Sequence, residues 1–373
     1  MIIAVPKEIK AQEFRVGLTP ESVKTLINDG HEVWIETTAG EGIGCPDDDY
    51  RSVGARIAAN ATETFAKGEL IIKVKEPLAA ERAMLQADQI LFTYLHLASD
   101  PEQADELIQS GATCIAYETV TDNAGKLPLL MPMSAIAGRL AVQEAAIHLE
   151  KTHGGMGVLL SGAPGVQAES VVIIGGGIVG SNACRIALGL GARVTILDRS
   201  ENLLGELDSR FAGKVNCALS TTDSIAEYVS TAAMVVGAVL VPGGKADHLI
   251  PASLVKQMRP GSVIADVAID QGGCCENSRP TTHSDPTFIV DDVIHYCVAN
   301  IPGAVPRTAS KSLNSATVPF IRELANKGVK AALQENANFR NGLNVCQGNV
   351  TQNEVADDLG LPYVNASEAL AAL

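Results

Sequence analysis

Short apolar runs alternate with helical patterns along most of the chain, and this alternation predicts an α/β fold. In the first third, apolar runs predict strands at Ile2–Val5, Glu32–Glu36, Glu69–Val74, Gln89–Leu95 and Thr113–Ala116. A helix is predicted at Thr19–Asp29, because Thr19 is a good N-cap and Pro20 suits the first helical position. Strands joined by helices in this way form a mostly parallel, doubly wound sheet.

A second alternating region follows a long helical pattern at Ser134–Lys151. Its apolar runs predict six or more parallel strands, at Ser170–Ile174, Arg193–Asp198, Val215–Leu219, Ala233–Val239, Ser262–Val267 and His295–Val298. After Pro302-Gly303 the pattern is helical at Ala309–Gln334, and the polar tail beyond has few strand signals. We expect this tail to pack on the first domain. Residues 1–134 and 304–373 would then form one domain and 135–303 an inserted one, with the active site in the cleft between them.

The strand beginning at Ser170 runs into a G-x-G-x-x-G motif formed by Gly175, Gly177 and Gly180. Its glycines permit a tight turn, close approach of a pyrophosphate, and close packing of helix on strand. Asp198 ends the next strand 23 residues after Gly175, where a carboxylate can accept the ribose 2′-OH. The motif therefore predicts dinucleotide binding, the alternative being an ordinary tight turn. Asp198 favours NAD over NADP, although the neighbouring Arg199 weakens that preference.

Composition narrows the class of protein further. A chain of 373 residues with 46% hydrophobic and 19% charged residues predicts two folded domains. The net charge of -15 disfavours nucleic acid as a partner, because phosphate binding needs a basic surface. No apolar run approaches the ~18 residues of a membrane span, and the first residues resemble a strand more than a signal peptide. Without a secretion signal, we expect a cytoplasmic protein whose eight cysteines are reduced. We expect no metal site, since no C-x-x-C pair occurs.

Four residues at the ends of predicted strands are candidates for the chemistry, because α/β sites lie there. Arg15 and Lys75 could hold a carboxylate, His96 could transfer protons near neutral pH, and Asp270 could relay a proton or orient a nicotinamide. Each has a structural alternative: a surface arginine, a solvated edge-strand lysine (which fits Lys73 equally well), a core histidine and a turn-forming aspartate. Together they suit a dehydrogenase of 2-oxo acids or amino acids, in which two cations hold the α-carboxylate and hydride moves at the α-carbon.

The chain resembles the alanine dehydrogenase family, NAD-dependent enzymes that interconvert L-alanine with pyruvate and ammonium. The resemblance lies in ordered segments that begin at Val5, Glu13, Ala39, Lys73, Thr93, Met131, Gly165, Gly175, Ile264 and Val298. It implies two Rossmann-like domains, with the NAD-binding domain inserted into the catalytic one, and a homohexamer. It also implies that Arg15 and Lys75 bind the substrate and that His96 and Asp270 are the acid/base pair.

The resemblance further implies a set of cofactor-binding residues. They are Ser134, Gly175, Gly177, Ile178, Val179, Gly180, Asp198, Ser220, Val239, Leu240, Val267, Ala268, Ile269, Asp270, Arg279, Val298, Ala299, Asn300 and Ile301. Some relatives have a basic residue where this chain has Leu203, so the resemblance does not carry over an extra contact near the adenine ribose.

The sequence leaves three other functions open. A transhydrogenase-type NAD(H)-binding subunit shares the fold, but it needs no carboxylate clamp of the kind that Arg15, Lys75 and His96 suggest. Another amino-acid dehydrogenase, such as a saccharopine-forming enzyme, would need a roomier cleft. A non-catalytic NAD sensor would bind the cofactor without turnover.

Overall fold

The structure, a computed structural model, describes residues 1–239 and 247–373. Its strands are β1 (Ile2–Val5), β2 (Glu32–Glu36), β3 (Arg56–Ala58), β4 (Leu70–Ile72), β5 (Ile90–Thr93), β6 (Thr113–Ala116), β7 (Ser170–Ile174), β8 (Arg193–Asp198), β9 (Asn216–Leu219), β10 (Met234–Gly237), β11 (Val263–Asp266), β12 (Thr287–Val290), β13 (Val293–Tyr296), β14 (Leu343–Cys346) and β15 (Asn349–Val350).

Helices fill most of the connections between these strands. They are α1 (Pro20–Asn28), α2 (Asp47–Ser52), α3 (Ala61–Lys67), α4 (Ala79–Arg82), α5 (Pro101–Ser110), α6 (Met131–His148), α7 (Ile178–Gly189), α8 (Glu201–Phe211), α9 (Thr222–Thr231), α10 (Ala252–Val255), α11 (Pro306–Lys327), α12 (Val329–Glu335), α13 (Ala337–Arg340), α14 (Asn353–Leu359) and α15 (Ala366–Ala372). Short 3-10 helices lie at Glu41–Ile43, Leu97–Ser99, Tyr117–Thr119, Lys151–His153, Val267–Gln271 and Ile301–Ala304. None of the helices in the described ranges has both the length and the apolar character that crossing a bilayer requires.

The chain divides into two compact units. The outer unit combines Met1–Met133 with Val305–Leu373, and the inserted unit is the continuous stretch Ser134–Ala304. Helix α6 carries the chain from the outer unit into the inserted one.

The outer unit is built on an eight-stranded sheet in the order β15-β14-β6-β5-β4-β1-β2-β3. Strands β1 to β6 are parallel and have the doubly wound order 3-2-1-4-5-6, and β14 and β15 extend the sheet antiparallel beside β6. Leu91, Cys114 and Val345 of this sheet pack with Leu107 of α5 in one buried cluster. The strand order reverses between β1 and β4, which is where α/β proteins place their ligands.

The inserted unit repeats this plan with a seven-stranded sheet, in the order β12-β13-β11-β10-β7-β8-β9. Six strands are parallel and only the edge strand β12 is antiparallel, so the predicted doubly wound sheet is confirmed. Val172, Val235 and Ile264 form its core with Ile225 and Val229 of α9. Here the strand order reverses between β7 and β10. The glycine motif, which follows β7, therefore lies at the point of reversal, where such sheets bind their ligands.

Helix α1 shows how directly some local signals predict structure. It begins at Pro20, and the Thr19 hydroxyl accepts a hydrogen bond from the backbone N–H of Ser22 at 3.4 Å. The predicted N-cap and the proline at the first helical position are therefore confirmed.

Other boundaries differ from the prediction. Helix α6 begins at Met131 rather than Ser134 and ends at His148, and Gly328, with φ 76°, separates α11 from α12. The tail that was expected to lack strands forms β14 and β15. Its polar Asn344 is nonetheless buried, because its amide donates to the Thr119 hydroxyl and to the Gly342 carbonyl oxygen, each at 2.9 Å. Strands β3 and β12 were also missed.

Candidate active site

Arg15 lies in the loop after β1 and is only 3% exposed, so the interpretation as a surface arginine is wrong. Its Nε donates to Oε1 of Glu13 at 2.6 Å, and its Nη1 lies 3.2 Å from Sδ of Met133. The loop is attached to α11, because the Val16 N–H donates to the Ser310 hydroxyl at 3.0 Å. The guanidinium is thus oriented by a buried carboxylate, and such orientation favours a planar, bidentate contact with a substrate carboxylate.

Lys73 and Lys75 follow β4, and their side chains lie in different environments. The side chain of Lys73 has no exposed surface, and its Nζ lies 2.9 Å from Glu8 Oε2 and 2.6 Å from Glu81 Oε1. Burial alone would lower the pKa of Lys73, but the two carboxylates outweigh it and raise that pKa. The interpretation of Lys73 as a solvated edge-strand lysine is therefore wrong.

Lys75 retains 14% exposure of its side chain, and its Nζ lies 3.7 Å from Glu76 Oε2. Burial raises the pKa of the Glu76 carboxyl, but the ammonium groups of Lys75 and Lys10 outweigh it, and the net effect lowers the pKa. Glu8 reaches this segment as well, because its Oε1 accepts the N–H of Val74 at 2.7 Å. Lys75 is thus a charged side chain on a fixed backbone at the end of the sheet.

His96 follows β5 and has the left-handed backbone angles φ 50° and ψ 41°. Its side chain is 44% exposed, so the interpretation as a core histidine is wrong. The imidazole stacks on the Tyr94 ring, with ring centroids 5.9 Å apart and an interplanar angle of 6°. Its Nδ1 lies 3.8 Å from Glu118 Oε1, which also accepts the His96 backbone N–H at 2.6 Å.

The strand order brings these three candidates to one edge of the outer sheet. Strand β4 pairs with β1 on one side and with β5 on the other, and all three are parallel. The loops after them, which carry Arg15, Lys75 and His96, therefore leave the sheet at the same edge. Two cations beside a titratable imidazole can hold a small carboxylate and exchange protons with a neighbouring atom.

The glycine motif in the inserted unit joins β7 to α7. Gly175 has φ 99°, and a Cβ there would lie 2.7 Å from the Ala238 carbonyl oxygen. A Cβ at Gly180 would lie 1.8 Å from the Gly175 carbonyl oxygen, so helix and turn are in direct contact. At Gly177, the N-cap, a Cβ would meet nothing within 4 Å, and no side chain caps the helix. An open helix start with no capping side chain fits a pyrophosphate.

Asp198 lies at the end of β8 beside this turn. Its Oδ2 accepts the Gly176 N–H at 2.7 Å, and its Oδ1 accepts the Ser200 N–H at 2.9 Å. The N–H of Ser220, after β9, donates to the Asp198 carbonyl oxygen at 2.9 Å. Thus Asp198 and Ser220, both predicted cofactor residues, lie together next to the glycine turn.

Asp270 is exposed on the 3-10 helix Val267–Gln271, which follows β11. This turn depends on Asp266, whose fully buried carboxylate accepts the Ala268 N–H at 3.2 Å, the Cys274 N–H at 2.9 Å and the Ser278 hydroxyl at 2.6 Å. Asp266 thereby holds the segment that carries Asp270. Within the turn, Ala268 and Ile269 are buried and Val267 is half-buried.

The remaining predicted cofactor residues lie at several places in the inserted unit. Arg279 is exposed, and its Cζ lies 4.2 Å from the centroid of the Phe288 ring. The other described members are Ser134 on α6, Ile178 and Val179 in the first turn of α7, Val239 after β10, and Val298, Ala299, Asn300 and Ile301 after β13. Leu240 lies outside the described residues.

Several residues that shape the site were not predicted. Glu13 is only two positions from Arg15, so a local signal existed. Tyr94 is likewise two positions from His96, whereas Glu118 had no local signal, because its contact with His96 depends on strand pairing. Within residues 1–239 and 247–373, no group of His, Cys, Asp or Glu side chains is arranged to hold a metal ion.

Two family models match this chain. The N-terminal domain of alanine dehydrogenase/PNT matches residues 4–137, and the C-terminal domain matches residues 141–353. An alanine dehydrogenase from Halomonas elongata is 52% identical over 99% of this chain and 100% of its own length. The one from Bacillus subtilis is 50% identical over 99% of this chain and 98% of its own.

Solved structures also resemble this chain. An L-alanine dehydrogenase has a TM-score of 0.93 and 50% identity, covering 96% of this chain and 99% of its own. A transhydrogenase from Sinorhizobium meliloti has a TM-score of 0.81 but 24% identity, covering 95% of this chain and 99% of its own. The second likeness shows a shared fold.

Proposed function

The chain belongs to the alanine dehydrogenase/PNT family, and on that premise we infer that it is an NAD-dependent L-alanine dehydrogenase. It catalyses the reversible oxidative deamination of L-alanine, with water and NAD consumed and pyruvate, ammonium and NADH formed. Full-length relatives of about 50% identity carry this conclusion. The grouping of Arg15, Lys75 and His96 at one sheet edge supports it, because a subunit that only binds NAD(H) has no use for a carboxylate clamp.

The cofactor would be held in the inserted unit. The open start of α7 at Gly177 suits the pyrophosphate, and Asp198 suits the adenine ribose. A ribose 2′-phosphate would meet the Asp198 carboxylate, which favours NAD over NADP. When bound, the nicotinamide supplies or accepts the hydride at the α-carbon of the substrate.

We assign substrate binding to Arg15 and Lys75 in the outer unit. The guanidinium of Arg15, oriented by Glu13, would bind the carboxylate of alanine or pyruvate, and the ammonium of Lys75 would bind its carboxylate or carbonyl oxygen. Both cations would attract the negatively charged substrate and hold it in one orientation.

Proton transfers are assigned to His96 and Asp270. In the aminating direction, His96 protonates the oxygen that leaves as water when ammonia has added to the keto carbon. In the deaminating direction it removes the proton from the attacking water. Asp270 would relay protons from the inserted unit.

The homohexamer stays a prediction from the family resemblance, and the cytoplasmic location stays a prediction from the sequence. Size-exclusion chromatography with light scattering would measure the number of subunits.

The test of the proposed function is NADH oxidation at 340 nm with pyruvate and ammonium, and then with each omitted. Oxidation that needs both establishes reductive amination. Oxidation with pyruvate alone would indicate a 2-hydroxy-acid dehydrogenase instead, and NADH binding without any oxidation would favour a binding subunit. In the same assay, H96A should lose most of its turnover and keep its affinity for NADH, whereas near-normal turnover would refute the role of His96.

A further inference from the structure

Glu118 is an acidic residue beside His96 that has no part in the proton transfers assigned to His96 and Asp270. It lies on the 3-10 helix Tyr117–Thr119 after β6, and its side chain is only 14% exposed. Since β6 pairs with β5, the carboxylate reaches the segment that follows β5. Its Oε1 accepts two consecutive backbone N–H groups, from Leu95 at 3.1 Å and from His96 at 2.6 Å.

These hydrogen bonds hold His96, whose backbone has the left-handed conformation. A left-handed conformation is uncommon for a residue with a side chain, and it persists where the surroundings impose it. The carboxylate of Glu118 anchors the N–H of His96 itself, and the Ser99 hydroxyl donates to the His96 carbonyl oxygen at 2.8 Å. The backbone at His96 is therefore held on both sides.

The same carboxylate also faces the imidazole ring. Oε1 of Glu118 lies 3.8 Å from Nδ1, so the carboxylate faces this ring nitrogen at a distance just beyond hydrogen-bond length. Stacking on Tyr94 restricts the plane of the ring, and Tyr94 is itself fixed because its hydroxyl donates to the Leu129 carbonyl oxygen at 2.7 Å. An acceptor on the Nδ1 side favours the tautomer with its proton there, which leaves Nε2 for the substrate. Catalytic hydrogen bonds that are long in a ligand-free enzyme often shorten once the substrate is bound.

We propose that Glu118 is a positioning residue for His96: its carboxylate holds the left-handed backbone and faces Nδ1, so that Nε2 is presented to the amino-acid or 2-oxo acid substrate. The proposal rests on the proton-transfer role inferred for His96.

The decisive variant is E118Q, because its amide oxygen can still accept the two backbone N–H groups while the charge beside Nδ1 is removed. We expect kcat for pyruvate amination to fall by about tenfold or more, while KM for pyruvate changes by less than about threefold. Affinity for NADH, measured by fluorescence, and the urea midpoint should stay at wild-type values. The matched control is E102Q, an exposed glutamate in the first turn of α5, which should behave as wild type.

A second measurement separates positioning from independent action. In an H96A background, adding E118Q should cause no further loss of residual hydride transfer at high enzyme concentration, because Glu118 acts through the imidazole. Losses that multiply would overturn the proposal. So would E118Q with wild-type kcat, or E118Q that loses NADH affinity and stability together with kcat. The role of His96 itself is tested by H96A alone, in which near-normal turnover would contradict it. The two hypotheses can therefore be refuted independently.

Discussion

Acid should destabilise this chain through one buried histidine, His295, in the core of the inserted unit. His295 lies on β13 with no exposed surface, and neither ring nitrogen has a hydrogen-bond partner among the described residues. Its ring stacks on Phe288 of the paired strand β12, with centroids 5.0 Å apart and an interplanar angle of 8°. Burial lowers the pKa of His295 from its ordinary 6.5 to about 4.

The sign and size of the effect follow from this pKa. The unfolded chain binds a proton near pH 6.5, whereas the folded chain binds it only near pH 4, so acid favours unfolding. At pH 7.5 both states are neutral at this position and nothing is lost. Through the window from pH 6.5 to pH 4 the loss grows, to about 2 kcal/mol at pH 5 and about 3 kcal/mol below pH 4.

The test is H295F, which keeps an aromatic ring for the stack and removes the titrating group. Urea unfolding of wild type and variant, at one protein concentration because association shifts apparent stability, gives free energies of unfolding at pH 7.5 and pH 5. We expect the decrease between these pH values to be about 2 kcal/mol smaller in H295F. The control variant is H153Q, which replaces a half-exposed histidine instead of a buried one. Equal pH dependence in H295F and wild type would refute the reasoning.

Three further predictions concern single side chains. K73M should lower the free energy of unfolding by about 3–5 kcal/mol in urea titrations, because two buried carboxylates lose their partner, while the exposed K24M should change it little. G180A should abolish NADH binding measured by fluorescence, since its Cβ would meet the Gly175 carbonyl oxygen; G205A, with open space at that position, should bind normally. R15K should raise KM for pyruvate by about tenfold or more with unchanged NADH affinity, because an ammonium cannot reproduce the bidentate contact. Wild-type stability in K73M, NADH binding by G180A, or a wild-type KM in R15K would contradict the respective explanation.

Local patterns predicted much of the fold, because they depend on neighbouring residues. The alternation of apolar runs and helical periods was enough for two doubly wound sheets, and Thr19-Pro20 was enough for the start of α1. The glycine motif was predicted with its strand and helix, since a turn with φ 99° at Gly175 favours glycine and the motif shows it in the sequence. Strand β14 was missed, because Asn344 interrupts its apolar residues and polar residues flank it on both sides.

The sequence also indicated the candidate residues, because charged or titratable side chains follow the predicted strands at Arg15, Lys75, His96 and Asp270. Neighbouring parallel strands end at the same edge of a sheet. What the sequence could not decide is which charges would be fully buried between partners and which would stay partly exposed. Lys73 and Lys75 are two residues apart, yet only the fold encloses the first between Glu8 and Glu81 and leaves the second beside the site edge. Glu118 and His96 are 22 residues apart and meet because β5 pairs with β6. The sequence by itself determined the elements and the residue types for the reaction; tertiary packing decided their partners, because burial and strand pairing set the surroundings of each charge.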